Sequence, residues 1–106
     1  KGKFDDWPEI ISFHEVLAST FHPAEEGDFS AIRNRSGELS SKASALATSK
    51  IPAQFNKKEV IDVLSKLSST TKSLDKLVHK KSSDKTLMKS LTAVHDSFNQ
   101  IVERCK

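Results

Sequence analysis

Four stretches of the chain repeat their apolar residues every three to four positions, the period of an amphipathic helix and not of a strand. The first reads Trp7, Ile10, His14, Leu17 and Phe21, and the second Phe29, Ile32, Ser36, Leu39, Ala43 and Leu46. The third runs Val60, Leu64, Leu67, Thr71, Leu74 and Val78. The fourth runs Leu87, Leu91, Val94 or His95, Phe98, Ile101 or Val102, and Cys105. Only three Gly and three Pro occur in 106 residues, too few turn signals for many short strands.

The boundaries carry their own chemistry. A first helix is expected from about Pro8 to Phe21, with Pro8 in the first turn, where its missing N–H does no harm, and an end near His22-Pro23. Asp28 can cap the second helix, which Gly37 weakens. Asn56 and Glu59 have capping-box spacing ahead of the third helix, with Phe55 and Val60 as a hydrophobic staple. That helix should run to about Lys80. Ser82-Ser83-Asp84 supplies the cap of the fourth, which continues nearly to the C-terminus. Short links between four such helices predict an all-α fold, an antiparallel up-down-up-down four-helix bundle forming a single domain over residues 1–106.

The net charge of +3 comes from 17 basic against 14 acidic residues, and the nine Lys between Lys57 and Lys89 place the excess in the second half. Arginine is confined to Arg33, Arg35 and Arg104, and the aromatics lie on the apolar seams. A nucleic-acid site would add arginine forks and stacking rings, so a solvated lysine face is expected and no nucleic-acid partner. No apolar run approaches the roughly 20 residues of a membrane span. The Lys1-Gly2-Lys3 start suits a mature form after signal removal, which points to a soluble periplasmic or secreted protein, or equally a trimmed chain. The single cysteine, Cys105, excludes an internal disulfide and reads as a small buried thiol.

His14 and His95 occupy seam positions that call for apolar residues, so both imidazoles are expected to project inward from neighbouring first and fourth helices. An inward imidazole needs a hydrogen-bond partner, a metal or a cofactor, since burying an unpaired polar group costs roughly 1 to 3 kcal/mol. Ser36 and Thr71 should lie near the same level, which makes a polar layer. Two outcomes follow from that layer. The histidines satisfy each other, Ser36, Thr71 or water and fix the register of the bundle, or they present two nitrogens to a transition metal ion or a haem iron.

The segment Leu91-Thr92-Ala93-Val94-His95-Asp96-Ser97-Phe98 resembles the last helix of the cytochrome c-prime family, whose motif is C-x-x-C-H followed by an acidic residue and an aromatic. In that register His95 matches the haem-ligating histidine and Phe98 the aromatic, while Leu91 and Val94 stand where the family has its haem-attaching cysteines. The resemblance therefore implies a non-covalent haem, as in the related b-type bundle cytochromes, with His14 in place of their first-helix methionine. Phe13, Phe21 and Phe98 would close such a pocket.

A second polar cluster, His22, Glu25, Glu26 and Asp28 around Pro23, has the donor chemistry of an exposed divalent-metal site, with His79 at the same end of the bundle. Solvated helix capping explains the same residues. Glycine-rich phosphate loops, H-E-x-x-H and G-x-S-x-G are absent, so no enzyme is expected. The expected protein binds a metal ion or non-covalent haem through His14 and His95, with Ser36 and Thr71 as supporting partners. The alternative is a non-catalytic structural or interaction module with a buried His-Ser-Thr layer and no cofactor. Val16, Val63 and Leu77 are expected to leave apolar surface through which two copies would pair.

Overall fold

A computed structural model describes residues 4–105. The Lys1-Gly2-Lys3 start lies outside the described residues. Four helices account for nearly all of the described chain: α1 (Pro8–Glu25), α2 (Ser30–Thr48), α3 (Lys58–His79) and α4 (Asp84–Arg104), with a 3₁₀ turn at Ala53–Phe55. Contacts between helix ends fix their directions. Trp7, just before α1, donates its indole N–H to Ser49 Oγ just after α2 at 2.9 Å. Arg33, in the first turn of α2, donates to Ser82 O (2.9 Å) and Asp84 Oδ1 (2.7 Å) in the α3–α4 turn. Lys57 Nζ at the start of α3 donates to Arg104 O at the end of α4 at 3.4 Å. Consecutive helices thus run in opposite directions, and the expected four-helix bundle is the fold.

The core follows the expected stripes in α2 and α3, where Ile32, Ser36, Leu39, Ala43 and Leu46, then Val60, Leu64, Leu67, Thr71 and Leu74, are buried. Phe29 and Val78 at the stripe ends are half-buried against the core. In α1 the buried set includes Phe13, Val16 and Thr20 beside Leu17 and Phe21, and in α4 it includes Val94 and Ser97. The four buried hydroxyl residues, Thr20, Ser36, Thr71 and Ser97, cost little. Among the described residues no buried side-chain polar atom lacks a hydrogen-bond partner.

The end of α1, the start of α2 and the start of α3 differ from expectation: the residue before α2 is Phe29, without a side-chain cap, and Asp28 bonds to Ser30 instead. α1 continues through Pro23 to Glu25, because a proline in the last turn forfeits a single N–H bond. What ends the helix is Gly27, at φ +91°: Asp28 N–H reaches Pro23 O (2.8 Å) and Gly27 N–H reaches Ala24 O (3.0 Å), a Schellman closure that needs a left-handed residue. The same closure ends α3, where Ser82 N–H meets Leu77 O (3.1 Å), Lys81 N–H meets Val78 O (3.0 Å) and Lys81 takes φ 59°. The capping box at Asn56 and Glu59 does not form. The residue before α3 is Lys57, without a side-chain cap, because the 3₁₀ turn carries the chain one residue further before the helix begins. Phe55 and Val60 are nevertheless both buried. Ser83 does cap α4, accepting from Thr86 N–H at 3.3 Å.

Gly37 lies inside α2 on an exposed face, and a Cβ placed there would meet only Asp75 Oδ1, at 4.0 Å. Gly37→Ala is therefore expected to raise stability by about 0.5 to 1 kcal/mol, through the helix entropy that glycine forfeits. Urea unfolding checks this, and a loss of stability would show that the Asp75 carboxylate needs the space.

Candidate functional site

The seam between α1 and α4 is the most loosely packed of the four helix interfaces. Large rings crossing it account for the width, because side-chain size sets the distance between helix axes. Phe13 and Phe98 meet at 5.8 Å between centroids. His14 lies flat on Phe98 (5.2 Å, 12° between planes), and His95 lies flat on Phe21 (4.1 Å, 11°). Each helix thus gives one imidazole to a phenylalanine of the other.

Neither histidine projects into the core. His14 is exposed and His95 half-buried. The buried stripe of α1 passes through Phe13 and that of α4 through Val94, so each histidine sits one residue, or about 100° of helix, off the core direction. At the seam edge an imidazole keeps its solvation and covers a ring with its face, so no buried polar cost arises. Asn99 Nδ2 lies 3.4 Å from His95 Nδ1. The two rings are also stepped along the seam. Phe98, under His14, is three residues or about 4.5 Å beyond His95 along α4, and Phe21, under His95, is about 10 Å beyond His14 along α1. A single ion needs both nitrogens at about 2 Å, which stepped and separately stacked rings do not offer.

Ser36 and Thr71 are buried as expected but belong to the opposite side of the bundle, between α2 and α3. Ser36 Oγ donates to Asp75 Oδ1 at 2.7 Å. Thr71 Oγ1 bonds back to Leu67 O (3.0 Å) and Ser68 O (2.9 Å) of its own helix. They do not support His14 or His95. The expected common polar layer is replaced by separate bonds: Thr71 reaches carbonyls one turn back on its own helix, and Ser36 reaches across to Asp75 of α3. Asp75 also receives His79, whose Nδ1 lies 3.3 Å from Oδ1 and 2.8 Å from the Asp75 carbonyl oxygen. The carboxylate stands between serine and imidazole, and the Ser36 proton points at Asp75.

In the second cluster, exposed His22 Nδ1 sits 3.3 Å from Glu25 Oε1, one helical turn on. Glu25 and Glu26 are exposed, and among the described residues no three of His, Cys, Asp and Glu converge on a metal-sized site. Asp28 is drawn instead to α2: its Oδ1 accepts from Ser30 Oγ (2.6 Å) and Ser30 N–H (3.0 Å). These two bonds hold the Asp28 carboxyl below its ordinary pKa. A depressed carboxyl contributes stability that is fully present above its unfolded value and is lost as pH falls through the folded one. The stability difference between the protein and Asp28→Asn should accordingly be constant above about pH 5 and shrink below about pH 4. Urea midpoints across that range test it, and a difference independent of pH would rule the bonds out.

What the seam does form is a cleft of about 250 Å³, lined by Phe4, Ile10, Ile11, His14, Phe98 and Val102. Ile11 at its rim is 40% exposed. The sequence signals this apolar recess only through Ile11, an extra apolar residue beside the α1 stripe. Val16, expected to offer surface for pairing, is buried, and Val63 and Leu77 are half-buried against the core. The large apolar residues left exposed are Ile11 and, on α3, Ile61. Among the described residues no helix is long and apolar enough to cross a membrane. Cys105 is buried, as expected for a small core thiol. Compared with protein-family models, curated proteins and solved structures, the chain matches none of them.

Proposed function

We propose that this chain is a non-catalytic interaction module that binds along the open α1–α4 seam. The supporting observation is the cleft itself: five apolar side chains and one imidazole surround it, and Ile11 stands exposed at its rim. A mostly apolar recess with a single polar group is the usual chemistry of a binding site. A haem or metal ion is the second reading, favoured by His14 at the edge of this same recess. It would use His14 as its one donor from the cleft, since His95 is stacked on Phe21.

Two titrations separate these readings, the first of labelled protein followed by NMR and the second followed by absorption. With Nile red as an uncharged apolar probe, shifts are expected around Ile11, His14, Phe98 and Val102 and should vanish in Ile11→Ser/Val102→Ser. Shifts around Ile61 instead, or none, would sink the interaction reading. With haemin, a Soret shift that His14→Ala abolishes would put the cofactor reading first.

A further inference from the structure

The charge of the chain is segregated about this seam. Between Phe4 and Asp28 there are seven carboxylates and neither Lys nor Arg, within a chain whose net charge is +3. Arg33 and Arg35, the nearest arginines in sequence, are already paired with Asp84 and Glu38. On the α1 side of the cleft Glu15 lies one turn beyond Ile11, a neighbour on the helix surface. On the α4 side Glu103 adjoins Val102, and a polar depression of about 330 Å³ runs along Asp96, Asn99, Gln100, Glu103 and Arg104. The apolar strip is therefore bordered by Glu15 on α1, and on α4 by a polar depression in which Asp96 and Glu103 lie beside Arg104.

We propose that the occupant of the seam is a cationic amphipathic helix of a protein partner, its apolar face on Ile11, Phe98 and Val102 and its Lys or Arg residues toward Glu15 and Asp96. This rests on the interaction reading of the same seam. The shape fits a helix, because the trough between two antiparallel helices is where a third packs by ridges and grooves. The cleft is lined over about one turn of each helix, Ile10 to His14 and Phe98 to Val102, and the stacked rings carry the seam on to Phe21, about 16 Å from Ile10 at helical rise. The charge selects the partner, because carboxylate borders repel an anionic membrane surface and attract cations.

The test uses the full chain and two synthetic peptides of about 18 residues, long enough to form an amphipathic helix, one of Leu and Lys and the other of Leu and Glu. Fluorescence anisotropy should show the Leu/Lys peptide binding and the Leu/Glu peptide not. Glu15→Gln/Asp96→Asn should weaken binding about tenfold, and less at high salt, where exposed charges are screened. Ile11→Ser/Val102→Ser should abolish it, and Ile61→Ser should leave it intact; circular dichroism confirms that each surface variant folds. Equal binding of the two peptides, or binding indifferent to Ile11→Ser/Val102→Ser, overturns the proposal. So does self-association in sedimentation that Ile11→Ser removes, which would make a second copy the occupant. Seam shifts with the apolar probe but no peptide binding would defeat this inference alone, whereas silence from both would defeat the interaction reading with it.

Discussion

Trp7→Ala is expected to lower the unfolding free energy by about 3 to 5 kcal/mol, a large share of what holds a domain of this size together. Trp7 is fully buried although it precedes α1. Its indole stacks on Phe55 (6.0 Å, 20°) and meets Phe4 edge-on (6.2 Å, 65°), while Phe4 and Phe55 touch at 5.3 Å. Two segments distant in sequence are thus joined by one ring. Its N–H reaches Ser49 Oγ, and that hydroxyl donates onward to Leu46 O at 2.7 Å. Trp7→Phe retains most of the apolar area and loses the donor, so a smaller loss of about 1 to 2 kcal/mol is expected. Urea unfolding of both variants tests the assignment. A Trp7→Ala loss under about 1 kcal/mol would mean that the ring cluster does not close this end of the bundle.

The second large effect is expected at Phe98. Phe98→Ala removes the ring under both Phe13 and His14, and a buried phenylalanine truncation costs about 3 to 5 kcal/mol. The 8% exposure of Phe98 favours the low end of that range. The distinguishing readout is His14 itself. Its ring protons lie over the Phe98 face and should carry an aromatic ring-current shift that disappears in Phe98→Ala and persists in Phe21→Ala. For His95 the two variants should exchange roles. If His14 resonances do not move in Phe98→Ala, the paired stacking across the seam is wrong, whatever the stability shows.

The bundle was legible because its information is periodic and redundant. In α2 and α3 every buried residue falls on the expected stripe, since those helices offer one apolar line each. α1 does not. Ile10, Ile11 and Phe13 crowd around His14, and a strict seven-residue repeat from Trp7 lands on His14, while the 3.6-residue turn of a real helix brings Phe13 to the core. Position 94 or 95 in α4 posed the same choice, and the apolar member was the one buried. When one of two adjacent residues must enter a core, transfer energy favours valine or phenylalanine over imidazole. The α1–α4 cleft was not legible by that route, because it arises from how far ring stacking holds two helices apart, a property of no single segment. Asn56 and Glu59 show a different limit: correct spacing for a cap is cancelled by a 3₁₀ turn whose closure depends on where Phe55 finds Trp7.

The intrinsic fluorophore and the lone thiol, the two side chains through which unfolding is ordinarily followed, lie at one end of this bundle. Trp7 is the sole tryptophan in a chain without tyrosine, and Cys105 is the sole thiol. Trp7 precedes α1 and Cys105 follows α4, so emission and thiol-labelling curves would agree with each other while sensing the same pole. The opposite pole, where Lys81 holds its left-handed turn and Arg33 grips the α3–α4 link, is optically silent. Agreement between those two signals would therefore carry no proof of a concerted transition, and amide hydrogen exchange would have to supply it.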